Sequence, residues 1–401
     1  MSDPIDRLLD AAESGKLIIK NREMLQDTYI PNIIQHRTSE QEQITQSLLP
    51  ILKHSRPSNL LVYGKTGTGK TLVVKKILNK IQERVEKSKF PIKLIYSNSK
   101  EETTLYGFLV SFGRQLGLTD KELPGTGLAI SEVFKRILTN IDESKINAIF
   151  VIDEIDYLAQ LITKTGNDIL YQLTRANERL KQGSLALVGI SNNLRFKEKL
   201  DPRVISSLGE EEIIFTNYNV EQLTKILEER IREAFIPNSV EESALNLCAA
   251  IAAKQHGDAR RAIELIRVAG DIAERQQSPK VIVEHIKEAL QKIDVDKEET
   301  ALESYPLHEK LVMIAIMKAG GSSSTGEIYS FYKGLCKTIG QDELTQRRIT
   351  QILNEIEMSG MISGRLIHQG IHGNTKKYKL EIKPEMIKKS FKDDLTLQDI
   401  V

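Results

Sequence analysis

Leu60-Leu-Val-Tyr-Gly-Lys-Thr-Gly-Thr-Gly-Lys-Thr71 decides how the rest of the chain is read. Leu60 to Tyr63 is an apolar run of strand length, Gly64 to Gly69 is a glycine-rich turn, and Leu72 to Val85 carries apolar residues at helical spacing. Strand, glycine loop and helix, with Gly64-x-x-x-x-Gly69-Lys70-Thr71 inside them, form the pattern of a Walker A phosphate loop. The chemistry accounts for the residue types. Backbone N–H groups must converge on phosphate oxygens, and Gly64, Gly67 and Gly69 reach conformations closed to residues with a Cβ. Gly67, Thr68 and Gly69 are therefore assigned to the phosphates of ATP or ADP. Lys70 would reach the β- and γ-phosphates as a point charge, Thr71 would hold Mg²⁺ through its hydroxyl, and the helix would aim its positive end at the same anion.

Downstream, Ala148-Ile-Phe-Val-Ile-Asp153-Glu154 is an apolar strand closing on two carboxylates, the form of a Walker B element. In open α/β sheets ligand groups lie beyond the carboxyl ends of strands, so Asp153 is expected in the Mg²⁺ shell. Glu154 is expected to polarise the attacking water as general base. Leu185 to Ile190 is another strand, ending at Ser191-Asn192-Asn193, where an amide can orient that water; Asn192 takes the role, with Asn193 as fallback. Ile92 to Ser97 and Glu212 to Tyr218 supply further strands. Helices are expected at Ser39 to Leu52, Thr103 to Leu116, Ser131 to Ile141 and Asp168 to Lys181. The turn Leu123-Pro-Gly-Thr-Gly-Leu128 lacks a following Lys-Thr pair and is not a second phosphate loop. Ahead of the loop, Ile30, Ile33, His36 and Arg37 are candidates for an adenine pocket or for ordinary packing of an amphipathic segment.

From Asn219 the pattern is all-helical, with helices expected at Val220 to Phe235, Glu241 to Lys254, Asp258 to Gln276 and Pro279 to Ile293. Asp258 is placed as a helix cap, and Arg260 and Arg261 either face back towards the γ-phosphate or form a solvated pair. Lys297 to Ser304 reads as a linker. Helices at Leu307 to Lys318, Thr325 to Lys337 and Thr345 to Ser359 then precede two alternating strands, Met361 to His368 and Lys376 to Ile382, which is the order of a winged helix. Between Thr345 and Leu380 the cations Arg347, Arg348, Arg365, Lys376, Lys377 and Lys379 face only Glu355 and Glu357. Gln346, Arg347, Arg348 and Gln351 would read base edges in a major groove, while His372, Asn374, Lys376 and Lys377 on the wing would meet the minor groove or phosphates. A protein-contact role for the same domain is the competing reading.

The 401 residues suggest two or three domains, and 56 Lys and Arg against 55 Asp and Glu exclude a strongly basic tail-type nucleic-acid binder. The two cysteines, Cys248 and Cys336, show no metal-ligand spacing and suit a reducing compartment. No run approaches membrane-spanning length and the N-terminus has no signal-peptide core, so a cytoplasmic protein is expected, with no membrane partner.

Taken in order, Tyr29-Ile-Pro-Asn32 with His36-Arg37, the loop at residues 63–71, Val151-Ile-Asp-Glu-Ile-Asp156, Gly189-Ile-Ser-Asn-Asn193, Leu200-Asp-Pro-Arg-Val204 and Gly257-Asp-Ala-Arg-Arg-Ala262 resemble the archaeal origin-recognition initiators, AAA+ proteins with a C-terminal winged helix. The likeness runs from about Tyr29 to about Leu380. It implies an α/β AAA+ P-loop NTPase with a RecA-like base at residues 21–218, a helical lid at 219–296 and a winged helix at 305–390, after an N-terminal segment at 1–20. It implies Asn192 as first sensor, Arg260 as second, and Tyr218 and Arg230 as added nucleotide contacts. The turn around Pro124 to Leu128, with Thr126 and Gly127 at its tip, resembles the initiators' DNA-gripping insertion. The implied activity is slow, regulatory ATP hydrolysis by a nucleoid-associated protein. The implied partners are double-stranded origin DNA, the replicative helicase and a second initiator on the DNA. A nucleotide-locked regulator or origin-silencing paralogue is the alternative, and the winged helix argues against a clamp loader. One departure stands out: relatives carry an arginine finger near position 207, where this chain has Ser207, leaving Arg203 as the nearest candidate.

Overall fold

The computed structural model describes residues 17–53, 55–88, 91–102, 104–165, 168–193, 195–368, 374–398 and 400. The chain separates into two compact units, the first ending at Ile286 and the second beginning at Lys287.

The first unit is built on five parallel strands, β1 (Leu60–Gly64), β2 (Ile92–Asn98), β3 (Asn147–Asp153), β4 (Ser184–Ser191) and β5 (Glu211–Phe215), in the spatial order β2-β3-β4-β1-β5. Strands buried on both faces must be apolar throughout, and β3 shows why. Ala148, Phe150 and Ile152 enter one core with Phe108, Phe112 and Ile137, while Ile149 and Val151 enter the other with Val73, Ile77 and Ile44. The order puts β1 beside β4, so the phosphate loop after Gly64 and the polar end of β4 at Ser191 emerge together. The strand ends of β2 and β3 align in the same way, with Asn98 opposite Asp153. The lid helices Val220–Ala234, Glu242–Lys254 and Ala259–Arg275 pack around Leu223, Leu227, Cys248 and Ile266. Cys248 is fully buried, its thiol donates to the Ala262 carbonyl at 3.3 Å, and burial pushes its pKa up to about 12. Ile18 and Ile19 are buried, Ile19 bridging to Phe235.

Two expectations fail here. Asp168 to Lys181 is a short helix, Ile169–Thr174, followed by a single 3-10 turn, Ala176–Glu178, because the Asn177 amide pairs with both the N–H and the carbonyl of Leu185 and ties the chain to β4. Lys297 to Ser304 is no linker: the helix Val283–Glu303 runs through it, and Leu302 is buried in the core of the second unit. A helix unread in the sequence, Ile155–Thr165, follows β3 directly.

The second unit contains the helices Leu307–Lys318, Thr325–Ile339 and Gln346–Met358 and a three-stranded antiparallel sheet, β6 (Ser322–Ser324), β7 (Ile362–His368) and β8 (Asn374–Leu380), in the order β6-β8-β7. Ser324 and Glu327 form a reciprocal capping box at the start of the second helix. Cys336 is buried in this core, close to Tyr332. The helix Pro384–Phe391 seats Ile387 and Phe391 in the same core. Among the described residues no helix is long and apolar enough to cross a membrane.

Candidate functional site

A cleft of about 390 Å³ opens between the strand ends of the base and the lid, lined by the phosphate loop, Asp153, Glu154, Asn192, Tyr218, Arg230 and Arg260. Lys70 lies at its floor, donating to the carbonyls of Gly64 and Lys65, both at 2.8 Å, and to Asn192 Oδ1 at 2.7 Å. Burial strips water from this ammonium and, with Arg260 nearby, outweighs the attraction of Asp153, lowering its pKa to about 8. The Asn192 amide donates in turn to Glu154 Oε1 at 2.7 Å, and Lys100 stands 3.2 Å from Glu154 Oε2. Glu154 has φ +55°, a left-handed turn that swings the chain from β3 into the next helix.

Thr71 Oγ1 donates to Asp153 Oδ2 at 2.8 Å, and the hydroxyl of Tyr96 on β2 donates to the same oxygen at 2.6 Å. Burial and the adjacent carboxylate hold the Tyr96 phenol well above its ordinary pKa, so it stays a donor. Hydroxyl and carboxylate oxygens side by side suit Mg²⁺, which takes one or two protein oxygens and fills its octahedron with phosphates and water. Among the described residues no group of three or more His, Cys, Asp or Glu could hold a metal by itself.

The loop fits a polyphosphate in its backbone as well. Gly67 and Gly69 have φ +73° and +91°; a Cβ on Gly67 would stand 1.8 Å from Asp258 Oδ1, and one on Gly69 would stand 2.9 Å from the Tyr218 hydroxyl. The lid meets the loop here, since Ala259 N–H donates to the Gly67 carbonyl at 3.1 Å. Asp258 caps the helix through the N–H groups of Arg260 and Arg261, which orients Arg260 into the cleft, whereas Arg261 turns to Gln255 and Glu264.

Some residues take places that spacing did not reveal. Arg37 is 2% exposed and lies outside the cleft lining: its Nε donates to the Thr68 carbonyl and the Tyr218 hydroxyl, both at 3.1 Å, its Nη2 to Thr216 O at 2.5 Å, and its guanidinium stacks 4.1 Å from the Tyr218 ring. It braces the phosphate loop against the chain entering the lid. Thr68 is fully buried, its hydroxyl turned back to Lys65 O. Ile33 lies on the cleft rim, 62% exposed. Arg230 lines the cleft but donates to Met24 O at 3.0 Å and covers the Tyr29 ring at 4.5 Å. Arg203 is in a separate cleft, paired with Asp201 through two nitrogens and lying over the Tyr171 ring. Nothing in the sequence marks Tyr96 or Lys100 beyond the placing of β2 beside β3.

Thr126 and Gly127 are exposed at the tip of their turn, whose Pro124 carbonyl accepts from Tyr106 at 2.7 Å. In the second unit Gln346, Arg347, Arg348 and Gln351 are exposed on the first turns of their helix, and Arg348 reaches Gln351 Oε1 at 3.2 Å and Glu355 at 3.4 Å. Lys376 corrects the expected wing: it turns towards that helix, pairing with Glu357 and with Asn354 at 3.3 Å, because β8 alternates and places Lys376 on the face of buried Tyr378. The outward face carries Lys377 and Lys379, with Arg365 opposite Lys377. Asn374 pairs with His368 through its backbone, its side chain falling outside the described atoms, and His372 lies outside the described residues.

Residues 53–197 match the AAA domain, 224–291 the Cdc6 AAA+ ATPase-type lid domain and 300–390 the CDC6 C-terminal winged helix domain. The ORC1-type DNA replication protein of Cenarchaeum symbiosum (strain A) is 65% identical over 399 residues, covering 100% of this chain and 97% of that protein. That of Pyrococcus abyssi is 40% identical over 405 residues, 99% of this chain and 95% of the relative. The structure of the Aeropyrum pernix ORC1 protein in complex with DNA matches with TM-score 0.85 and 37% identity over 96% of this chain and 100% of that one. The Aeropyrum pernix ORC2 protein, solved in ADPNP–ADP complexes, shares the fold at TM-score 0.61 and 19% identity, over 93% and 98% of the two chains. Phosphate loop, lid and winged helix, matched in order along nearly the whole length, show that this chain belongs to the archaeal ORC1-type DNA replication proteins.

Proposed function

We propose that this protein is a replication initiator that binds duplex origin DNA, takes ATP or ADP with Mg²⁺ in the cleft of its first unit, and helps recruit the replicative helicase. What supports this above all is the likeness, over 96% of the chain, to an ORC1 protein solved on DNA. The helix carrying Arg347 and Arg348 would enter the major groove, with Lys377, Lys379 and Arg365 on phosphates and the tip at Thr126 and Gly127 as a second contact.

In the cleft, Lys70 and the loop N–H groups would hold the β- and γ-phosphates, and the apolar wall at Ile30, Ile33 and Ile226 would take the base. Thr71 and Asp153 would hold Mg²⁺, which when bound would supply positive charge to offset that of the polyphosphate. Asn192 touches both Lys70 and Glu154, so a single amide relates the γ-phosphate end to the general base. Glu154 would accept a proton from water, and Arg260 would meet the γ-phosphate from the lid. Hydrolysis on this scheme is slow and acts as a switch.

The test is binding to origin duplexes against scrambled duplexes at fixed salt, with ADP and with a non-hydrolysable ATP analogue, for wild type and Arg348→Ala. Salt is fixed because phosphate contacts dominate raw affinity. A preference for origin sequence that Arg348→Ala reduces by about tenfold supports the proposal, since a good base contact discriminates by about 1–3 kcal/mol. Equal affinity for all duplexes overturns it. A second reading, a nucleotide-locked regulator or origin-silencing paralogue, is favoured by one observation: both Glu154 oxygens are engaged, by Asn192 and Lys100. If Lys100 holds the base back, Lys100→Ala raises turnover several-fold without changing DNA affinity; unchanged turnover removes that support.

A further inference from the structure

The carboxylate of Asp153 is held from three directions: Glu154 N–H donates to Oδ1 at 2.9 Å, and the hydroxyls of Thr71 and Tyr96 share Oδ2. The Thr71 bond joins the two groups assigned to the metal. The Tyr96 bond comes from outside that pair. Tyr96 is on β2, directly beside β3, with Tyr96 opposite Val151 in the ladder, so it shares a sheet face with Asp153 two residues on, and its hydroxyl meets that carboxylate. The ring is itself held, with the Lys75 ammonium over its face at 4.2 Å. Both residues line the nucleotide cleft.

From this we infer that Tyr96 is a positioning residue for the divalent cation: its hydroxyl holds Asp153 Oδ2, the oxygen that also meets Thr71, so that this oxygen keeps a single orientation towards a metal at the phosphates. A carboxylate on a short side chain turns freely about its last torsion unless a neighbour donates to it. Hydrogen bonds that orient metal ligands from behind are worth about 10–100-fold in metal affinity. Lys75 serves the same end one step further out, since its charge over the ring face limits how far the phenol can swing. The inference rests on the reading of Thr71 and Asp153 as the metal end of the nucleotide site.

Tyr96→Phe isolates the hydroxyl, because the ring and its Lys75 contact remain. The measurement is affinity for a fluorescent ADP analogue, followed by anisotropy, across a Mg²⁺ titration and in EDTA, using the full chain. Thermal melts without nucleotide check that the variant is folded, and Asp153→Asn serves as the reference for loss of the metal ligand. The expected result is a Mg²⁺ half-saturation raised about tenfold in Tyr96→Phe, with affinity in EDTA unchanged. A loss of packing would weaken binding in EDTA as well, and that pattern overturns the positioning role. An unchanged Mg²⁺ half-saturation in Tyr96→Phe, with Asp153→Asn impaired, overturns the inference alone. A wild-type protein indifferent to Mg²⁺ overturns the metal reading of Thr71 and Asp153 together with it.

Discussion

At the scale of single residues, the phosphate loop shows how little freedom the cleft leaves. Gly67→Ala adds a Cβ at φ +73° and drives it into Asp258, so it combines left-handed strain of about 1–2 kcal/mol with a steric clash at the lid. Calorimetry should find ADP affinity lowered at least tenfold and a lower melting temperature without nucleotide. Lys70 makes a different prediction. Its pKa is depressed from 10.5 to about 8, so below pH 8 folded and unfolded chains are both protonated and the cost of burying the charge is fully present. Between pH 8 and 10.5 the unfolded chain keeps a proton that the folded chain releases, and stability therefore rises with pH in that window. Urea melts at pH 7.5 and 10 should show wild type gaining on Lys70→Met by on the order of 1–3 kcal/mol. Lys70 and Thr71 were legible because the chemistry of a phosphate loop is local in sequence. Arg37 was read from the sequence as a candidate for the adenine pocket, and its bracing place was not legible, since its partners, Thr68, Thr216 and Tyr218, come together only through the fold.

At the scale of elements, the wing separates cations that the sequence lists side by side. Lys377 faces outward, while Lys376 is neutralised by Glu357 and ties β8 to the helix Gln346–Met358. Lys377→Ala should reduce the slope of log affinity against log salt by about one unit on any duplex. Lys376→Ala should leave that slope nearly unchanged and lower the melting temperature of the second unit; equal slope changes for both would show that Lys376 swings out on DNA. Alternation in β8 carries this information, but Thr375 to Lys379 contains cations on both faces and one buried tyrosine, so the direction is fixed only when Tyr378 is known to be inside. The same ambiguity hid the helix between Lys297 and Glu303. A solvated helix and a polar linker have the same composition, and a single buried leucine, Leu302, distinguishes them. The break at Arg175 was equally hidden, because Asn177 meets Leu185 only after the strand is in place.

At the scale of the whole molecule, five strands, a run of lid helices, three more helices and a hairpin were readable in order from one sequence, whereas the helices Ile155–Thr165 and Pro202–Leu208 were not. The chain separates into two units, and each should respond to its own ligand. A ligand that binds only the folded state stabilises it by about 2.7 kcal/mol at a concentration one hundred times its Kd. Scanning calorimetry with Mg²⁺ and ADP should therefore move the transition of the first unit upward by several degrees and leave that of the second in place; a single transition moving as one would show the units melting together. The buried thiols extend this to the native state. Cys248 lies in the lid core and Cys336 in the winged-helix core, one in each unit, and a maleimide can react with either only after that core opens. The unmodified chain thus carries two built-in clocks, whose labelling rates report the breathing of the lid core and of the winged-helix core separately and without an introduced dye site.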